Sequence, residues 1–493
     1  MQKYAPSRAG RLTPTEWRVY YPDNIFRHEI NEEPMSNSTP VRSWVSTSDG
    51  ASRLKPQAPL ALAPAEVGDE FVIHVHPSER FQTIIGFGAS FTETASWLLQ
   101  EQLEPEARAQ LMNEWLDPHD GIGISFVRQP MGATDISRGF YSYSEGLDDD
   151  QTLSRFSLEP DRPHVLKTLK QAKAIRPELS FMASPWSPPA WMREGRSMRG
   201  TEGGALRPDA YAAYAEYFAR FVEGYAEEGI EIGWVTVQNE PIWAPNYPGM
   251  IMSVEEQGTF VAKHLGPTFA QHGLTTGILL HDHSWDRYDM PQALLRDPEV
   301  AKYATGTAFH RYDGTAAAGS ILHDEFPEHD IFFTEGSTDV TIPLSYIVEQ
   351  VIINSMRHWA RCIVLWNLLA NKDNGPYMKP GGCAICRPVT NLVDGQAWRH
   401  NDDYYALGHI AKFVQPGAVR IGTPLNSFST LPNVAFENPD GSFVLLVMNK
   451  GMTDHRLVVE SGGLQFAAAL PSGACATYVW HNDEPAIQRE VPA

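Results

Sequence analysis

Between residues 81 and 410 the chain repeats one local pattern eight times: a short apolar run, a loop, and a helical stretch. Strands that alternate with helices form parallel sheets, because each helix returns the chain to the start of the next strand. Eight such units in succession favour a closed (β/α)8 TIM barrel of the α/β class over an open doubly wound sheet. The predicted strands are Ile84–Ser90, Ser125–Pro130, Ser180–Pro185, Trp234–Gln238, Gly277–His281, Thr307–His310, Asp330–Thr334 and Arg361–Trp366.

The helices between these strands have clear sequence signals. The strongest covers Pro208–Tyr225, with proline at its first turn, and Asp161–Arg176 and Pro343–Trp359 have a similar pattern. A dinucleotide-binding fold would need a third glycine after Gly86-Phe-Gly88, but Phe91 occupies that position. This argues against a Rossmann fold.

Strand-like segments without helices flank the barrel on both sides. They are Val41–Thr47 and Phe71–Val75 before it, and Leu431–Glu437, Ser442–Asn449, His455–Glu460 and Ala476–Trp480 after it. The two N-terminal strands have no partners nearby, so we expect them to join the C-terminal ones in a discontinuous β-sandwich. The predicted division is an irregular arm at residues 1–40, a sandwich of 41–76 plus 411–482, and a catalytic barrel of 77–410.

The composition favours a neutral substrate. The formal net charge is −21 at pH 7, so the chain has no basic surplus for binding nucleic acid or an anionic membrane surface. The N-terminus lacks the apolar core of a signal peptide, and no apolar run has the length of a membrane span. We therefore expect a cytoplasmic protein without stable membrane insertion, and the sequence predicts no particular oligomeric state.

Two of the four cysteines have a spacing with chemical meaning. Cys383 and Cys386 form a C-x-x-C pair, as in zinc and redox sites, whereas Cys362 and Cys475 are isolated. A zinc site would need a second ligand pair, and no partner C-x-x-C or H-x-x-x-H is present in the sequence. Two loop thiols or one local disulfide are the predictions that remain.

The fourth and seventh predicted strands each end in a glutamate. Glu240 follows the run Trp234–Gln238 within Asn-Glu-Pro, and Glu335 follows Asp330–Thr334. The carboxyl ends of barrel strands meet at one mouth, so the two side chains are expected to face each other. Two carboxyl groups around an anomeric carbon are what glycoside hydrolysis requires. One protonates the leaving oxygen, and the other attacks as nucleophile or activates water.

Seven segments in colinear order strengthen this hypothesis. They are Gly86–Ala95, Val127–Met131 with Asp135, Ala183–Trp191, Thr236–Pro241, Phe309–Tyr312, Phe333–Gly336 and Tyr405–Phe413. In combination they resemble glycoside hydrolase family 30, on its glucosylceramidase side, over about residues 80 to 480. The resemblance implies a retaining hydrolase with a barrel and a β-sandwich, acting on a small-molecule or oligosaccharide β-glucoside without a cofactor or metal.

The resemblance also implies roles for individual residues. Glu240 would be the acid/base and Glu335 the nucleophile, and Arg128 would keep Glu335 ionised because a nearby cation favours the charged carboxylate. Asn239 would hydrogen-bond the sugar 2-hydroxyl. The other implied contacts are Asp135 and Trp186 on sugar hydroxyls, Trp366 lining the sugar pocket, and His310 and Tyr312 beside the nucleophile.

Departures from the human-type glucosylceramidases concern the group attached to the sugar. Arg311 stands where those enzymes have a tryptophan, and Gly249 stands where they have a phenylalanine near the lipid entrance. The loop Asn371–Cys386 instead resembles bacterial and fungal relatives, some of which cut β-1,6-glucan. We therefore expect exo-action on short β-glucosides, with glucosylceramidase or β-1,6-glucanase activity as the alternatives.

Two other functional classes are alternatives to a retaining hydrolase. A carbohydrate-binding barrel without catalysis would be favoured by loss of either glutamate, and both are present. An inverting or metal-assisted hydrolase would need a wider carboxylate gap or a His/Asp cluster, of which His281-Asp-His-Ser284 is the nearest example.

Overall fold

The computed structural model, described for residues 40–65, 71–146, 148–424 and 430–482, contains a closed barrel of eight parallel strands. Neighbours around the barrel follow the order of the sequence, as the repeating pattern predicts. Its strands are Gly86–Ser90, Phe126–Pro130, Ser180–Ser184, Ile232–Thr236, Gly277–Ser284, Ala304–His310, Asp330–Glu335 and Ala360–Leu365. The predicted arm lies outside the described residues except for residue 40.

A layer of apolar side chains fills the middle of the barrel. This packing brings the backbones close, and at Gly88 a Cβ would lie 1.8 Å from the carbonyl oxygen of Phe126, so no larger residue fits there. The buried members of the layer are Phe126, Met182, Leu279, Ala308, Phe332, Cys362 and Val364, with Ile85 and Trp234 packed against them.

Helices surround the barrel. The three predicted most strongly are all present: Tyr211–Glu227, a π-turn and helix over Arg162–Leu166 and Lys167–Ile175, and a continuous helical stretch from Leu344 to Arg357 with a π-helical centre. Other helices of four residues or more are Glu93–Gln102, Pro105–Leu116, Gly200–Gly203, Val254–Phe260, Val261–Leu265, Gly266–His272, Asp289–Leu295, Pro298–Ala301, Ala317–Glu325 and Asp402–Ala411. None of the helices in the described residues has the length and apolar character to cross a membrane.

A second sheet lies beside the barrel and contains both N-terminal and C-terminal strands. The strand predicted over Phe71–Val75 is longer, Phe71–Thr83, and pairs with strands on both sides. The order in the sheet is Lys55–Pro56, Arg42–Ser46, Cys475–Trp480, Phe443–Met448, Asn433–Glu437, Val419–Gly422, Phe71–Thr83, His455–Ser461, Leu464–Leu470 and Ala63–Pro64. A separate three-stranded sheet (Leu369–Asn371, Thr390–Leu392, Trp398–His400) follows the eighth barrel strand.

Alternation along the strands of the larger sheet gives it two buried faces. In Phe443–Met448, Val444 and Leu446 join the core that continues into the barrel helices, whereas Leu445 and Val447 join a separate sandwich core. His409, on the last barrel helix, bonds Thr477 Oγ1 at 3.0 Å across this junction. The predicted fold class, a (β/α)8 barrel with an attached β-sandwich, is confirmed.

Candidate active site

A polar layer lies directly above the apolar layer of the barrel, because strand side chains repeat with a period of two. Five polar residues stand two positions after an apolar-layer residue on five different strands, and all five contact the buried carboxylate of Asp282. The donors are Arg128 Nη2 (2.8 Å), Ser184 Oγ (2.8 Å) and Thr236 Oγ1 (2.7 Å) to Oδ2, and Thr334 Oγ1 (2.7 Å) and His310 Nε2 (3.1 Å) to Oδ1.

The backbone around this layer is unusual. Glu240, His281 and Asp282 have φ angles of 47°, 75° and 61°, a region that residues with side chains rarely occupy. The amide of Glu240 donates to the carbonyl of Asp282 at 3.0 Å, so the two segments hold each other. Backbone of this kind costs about 1–3 kcal/mol per residue and is concentrated at functional sites.

Glu335 ends the seventh strand and both of its oxygens accept short hydrogen bonds. Arg128 Nη1 donates to Oε2 at 2.6 Å, and the Tyr312 hydroxyl donates to Oε1 at 2.7 Å. Arg128 is fully buried and also donates to Asn239 Oδ1 at 2.6 Å. The Arg128 guanidinium therefore holds the Glu335 carboxylate, the Asn239 side-chain amide and the Asp282 carboxylate in fixed relative positions.

Glu240 lies across the same space. His310 Nδ1 is 3.3 Å from Glu240 Oε1 and 3.6 Å from Glu335 Oε1, so the imidazole contacts both carboxylates. His283 Nδ1 lies 3.9 Å from the same oxygen of Glu240. The structure thus brings the two predicted glutamates to one mouth, with a shared histidine beneath them.

The charges of this group are coupled. Burial raises the pKa of Glu335, an effect that His310 and Arg128 oppose and the charge of Glu240 increases. Burial acts on Glu240 in the same direction, but the hydrogen bond and charge of His310 outweigh it and its pKa is lowered. The pKa of His310 rises to about 9, since Glu335 and Asp282 outweigh the effect of burial. Protonation of either glutamate therefore lowers the pKa of the other.

The two glutamates open into a cavity of ≈ 180 Å³. Two of its walls are the stacked indoles of Trp186 and Trp366, with ring centroids 4.9 Å apart, and the guanidinium of Arg128 lies 4.7 Å from the Trp186 ring centroid. The cavity is lined by Asp135, Trp186, Asn239, Glu240, Tyr247, Tyr312, Glu335, Trp366, Cys383 and Cys386. Of the nine residues that the sequence points to, seven line this cavity, and Arg128 and His310 support it from below.

Asp135 is the most isolated carboxyl group of the cavity. Trp366 hydrogen-bonds its side chain, but its Oδ1 has no hydrogen-bond partner among the described residues. Burial, together with the charges of Glu335 and Glu240, raises its pKa to about 8. This carboxyl group is available to an incoming polar group, as a sugar-hydroxyl contact would require.

Cys383 and Cys386 are joined by a disulfide that lies in the cavity wall. Of the two predictions left open by the C-x-x-C spacing, the local disulfide is confirmed and the pair of free thiols is wrong. Cys362 and Cys475 are free and buried.

The His281–Ser284 segment ends the fifth strand and its two histidines have different environments. His281 Nε2 lies 3.2 Å from the carbonyl of Ser284, and burial lowers the pKa of His281 to about 3. His283, Glu240 and His310 have potential ligand atoms within 4.8 Å of one another. The high pKa of His310 favours its cationic form, which is not a metal ligand.

The sequence points to Asp282 only as part of the His281–Ser284 cluster, as a metal ligand, and it does not point to Tyr247. The signal for Asp282 was present, because every neighbouring strand has a polar residue two positions after its apolar-layer residue. The fifth strand would place His281 there, but a register shift opposite Ala308 and Phe309 brings Asp282 inward instead. Tyr247 lies in a loop after the fourth strand, where the two-residue repeat of a strand does not predict the direction of a side chain.

The two departures noted in the sequence lie on loops at the mouth. Arg311 donates to the carbonyl of Ser337 at 2.6 Å and its guanidinium lies 5.6 Å from the Tyr312 ring centroid. At Gly249, a Cβ would lie 2.6 Å from Pro245 Cδ. This loop has no room for a large side chain at residue 249 unless Pro245 moves.

Comparison with known families agrees with this geometry. The Glycosyl hydrolase family 30 TIM-barrel domain matches residues 84–414, and the Glycosyl hydrolase family 30 beta sandwich domain matches residues 417–478. The chain belongs to glycosyl hydrolase family 30. The resemblance found in the sequence motifs is thereby confirmed, and the protein is a glycoside hydrolase.

Curated relatives of this family 30 hydrolase fall into two groups by name. Endo-1,6-beta-D-glucanase neg1 of Aspergillus fumigatus is 29% identical over 81% of this chain and 85% of its own length. Lysosomal acid glucosylceramidase of Mus musculus is 29% identical over 85% of both chains. Sequence similarity alone therefore does not distinguish the two substrate classes.

Two solved structures resemble the family 30 hydrolase over its whole fold. The endo-beta1,6-glucanase BT3312 has a TM-score of 0.82 and 29% identity, covering 90% of this chain and 100% of its own. SrfJ from Salmonella typhimurium has a TM-score of 0.84 and 27% identity with the same coverage. The barrel and sandwich are thus arranged as in other members of the family.

Proposed function

We propose that this family 30 hydrolase cleaves β-glucosidic bonds with retention of configuration, by double displacement. Glu335 attacks the anomeric carbon while Glu240 protonates the leaving oxygen, which gives a glucosyl ester on Glu335. Glu240 then removes a proton from water, the water oxygen attacks the anomeric carbon, and the ester bond to Glu335 breaks. The product is a β-sugar, and both glutamates return to their initial states.

The single observation that carries this proposal is the contact of both glutamates with His310 Nδ1. The two contacts, 3.3 and 3.6 Å, place the Oε1 atoms of Glu240 and Glu335 at most 6.9 Å apart, the sum of these distances. Retaining enzymes hold their carboxyl groups about 5–5.5 Å apart, and inverting enzymes about 6.5–9.5 Å. Most of the inverting range lies above this Oε1–Oε1 bound, which supports the retaining mechanism.

The hydrogen bonds support Glu335 as the nucleophile. Each of its oxygens accepts a bond shorter than 2.8 Å, from Arg128 or Tyr312, and such bonds favour the ionised form. The raised pKa of Glu335 acts against this assignment, but part of the rise comes from the charge of Glu240. Attack by Glu335 requires Glu240 to be protonated. Protonated Glu240 has no charge, so its contribution to the raised pKa of Glu335 is then absent. These hydrogen bonds therefore support the assignment of Glu335 as the nucleophile.

The shape of the cavity supports action at the end of a sugar chain. It is small, and the Cys383–Cys386 loop and the stacked indoles of Trp186 and Trp366 form its walls. Asn239 lies beside Glu240, with its Oδ1 held by Arg128, where its amide would donate to the sugar 2-hydroxyl. Such an enclosure accepts one terminal glucose residue and leaves the rest of the substrate outside.

The leaving group would lie on the loop after Glu240. Trp243 is 54% exposed there, and its side chain hydrogen-bonds Tyr247 of the cavity wall. A flat exposed indole provides a stacking surface for a second sugar. Together with Arg311 and the tight packing at Gly249, it favours a saccharide over a ceramide as the leaving group.

Linear β-1,6-glucan is the second candidate substrate, because the relatives include endo-1,6-β-glucanases and a solved endo-β1,6-glucanase has a TM-score of 0.82. The test is a panel of β-glucose disaccharides of each linkage, aryl β-glucosides, glucosylceramide, and a β-1,6-linked glucotetraose labelled at its reducing end. We expect glucose and labelled trisaccharide as first products from the tetraose. Labelled disaccharide as the main first product would contradict exo-action, and faster turnover of glucosylceramide than of any disaccharide would contradict the saccharide preference.

A further inference from the structure

The C-x-x-C pair has a third potential ligand that the sequence could not reveal. Asp135 lies 248 positions before Cys383, yet a carboxylate oxygen of Asp135 and the two cysteine sulfurs all lie within 4.8 Å of one another. The loop is held in this place independently of the disulfide, because Met378 N donates to the carbonyl of Asp135 at 2.7 Å. The fold thus supplies one of the two further ligands that a zinc site would need.

The Asp135 side chain is prepared for a cation. It is 6% exposed, it lines the cavity, and its Oδ1 has no hydrogen-bond partner in the described part of the chain. Glu240 and Glu335 face the same cavity, and Arg128 and His310 below them balance part of their negative charge.

We propose that reduction of the Cys383–Cys386 disulfide creates a zinc-class metal site from Cys383 Sγ, Cys386 Sγ and an oxygen of Asp135. Two small thiols reduce the disulfide and become a disulfide themselves, which leaves two cysteine thiols on the enzyme. Zn²⁺ then displaces the two thiol protons into solvent. C-x-x-C spacing lets the two sulfurs separate to the roughly 3.8 Å that two ligands of one tetrahedral zinc adopt.

The bound ion would control the enzyme, an inference that rests on the proposed function of the cavity. A metal ion on Asp135 would compete with the sugar hydroxyl proposed to contact this carboxyl group, and the ion itself would occupy the cavity wall. Zinc should therefore inhibit the reduced enzyme and leave the oxidised enzyme unaffected. Small thiols reduce accessible disulfides in compartments where they are abundant. Zinc would therefore bind and inhibit the enzyme only where both a reducing thiol and the metal are present.

The test compares the oxidised full-length enzyme with enzyme reduced by a phosphine, which is converted to its oxide and competes little for zinc. Zinc retained after gel filtration is counted per chain, and hydrolysis of an aryl β-glucoside is measured with and without ZnCl₂. We expect one zinc per reduced chain, none on the oxidised chain, and a loss of activity of about tenfold or more that a chelator reverses.

Variants assign the ligands through zinc binding alone. Replacing both Cys383 and Cys386 with serine should abolish retention, and Asp135→Asn should weaken it roughly tenfold or more. Cys475→Ala, which removes a buried thiol of the sandwich, should retain one zinc. Zinc retained by the oxidised enzyme or by the double serine variant would overturn the site and point instead to Glu240, His283 and His310.

The two proposals fail in different ways. One zinc per reduced chain with undiminished hydrolysis would overturn the inhibition. No hydrolysis of any β-glucoside by the oxidised enzyme would overturn the proposed function, while the zinc count would still decide the metal site.

Discussion

Asp282→Asn should be among the most damaging conservative substitutions in this barrel. It removes a fully buried charge that accepts five hydrogen bonds and pairs with two cationic groups, Arg128 and His310. Removing one partner of a buried ion pair costs about 3–5 kcal/mol. In the variant, Arg128 is still paired with the carboxylate of Glu335. We therefore expect the free energy of unfolding to fall by about 3 kcal/mol, the lower end of that range.

The pH dependence of this loss has a definite sign. Although burial raises the pKa of Asp282, Arg128 and His310 lower it well below 3.8, so its stabilisation is present above pH 3.8 and is lost in acid. The pKa of His310 is raised from 6.5 to about 9. The stabilisation that comes from protonated His310 is therefore present below pH 6.5 and disappears above pH 9. The difference between wild type and variant should be largest from about pH 4 to 6.5 and smaller above pH 9.

The assay is urea unfolding followed by tryptophan fluorescence at several pH values, with the pH profile of kcat/KM alongside. The variant should lower the pKa of His310, because Asp282 is one of the carboxylates that raise it. Asp330→Asn is the matched control at the opposite end of the barrel, since Asp330 pairs with Arg361 where both side chains are partly exposed. Its expected cost is about 0–1 kcal/mol. Equal losses in the two variants, or a loss for Asp282→Asn that does not change with pH, would refute the reasoning.

Further predictions concern the two glutamates and the mouth of the cavity. Glu335→Gln should lower kcat roughly 10⁴-fold or more for every substrate, in steady-state assays, because it removes the nucleophile. Glu240→Gln should lower kcat/KM by roughly 10²–10⁴-fold for disaccharides but far less for dinitrophenyl glucosides, whose leaving groups need no proton; a uniform loss would reverse the assignment. Gly249→Ala should destabilise by about 1–3 kcal/mol in urea unfolding, because its Cβ would lie 2.6 Å from Pro245. Gly233→Ala, whose Cβ would make an ordinary 3.6 Å contact, is the control and should show no such loss.

The barrel and its two glutamates could be predicted from sequence because both depend on local patterns. An apolar run followed by a polar residue marks the end of a barrel strand, and the closed topology places Glu240 and Glu335 together although 95 residues separate them. The family resemblance implied Arg128 and His310, and the period of two along a strand explains why both lie above the apolar layer. This period fails at Asp282, because a register shift between neighbouring strands is a long-range feature that the strand's own sequence does not contain.

Other differences also come from long-range contacts. The strand predicted to end at Val75 continues to Thr83, through Pro77 and Glu79, because Val419–Gly422 pairs with its second half. The strand Leu464–Leu470 is rich in alanine, which favours helix, and is stabilised by His455–Ser461 beside it. The position of the Cys383–Cys386 loop beside Asp135 is also a long-range contact, which a C-x-x-C spacing does not encode.

The anomeric configuration of the first product tests the central claim most directly. Hydrolysis of an aryl β-glucoside is followed by proton NMR from the first minutes, before the free sugar equilibrates. If Glu335 forms a covalent ester that water then opens, β-glucose appears first and α-glucose follows only by mutarotation. α-Glucose as the first product would mean direct attack by water, and would contradict the double displacement by Glu240 and Glu335.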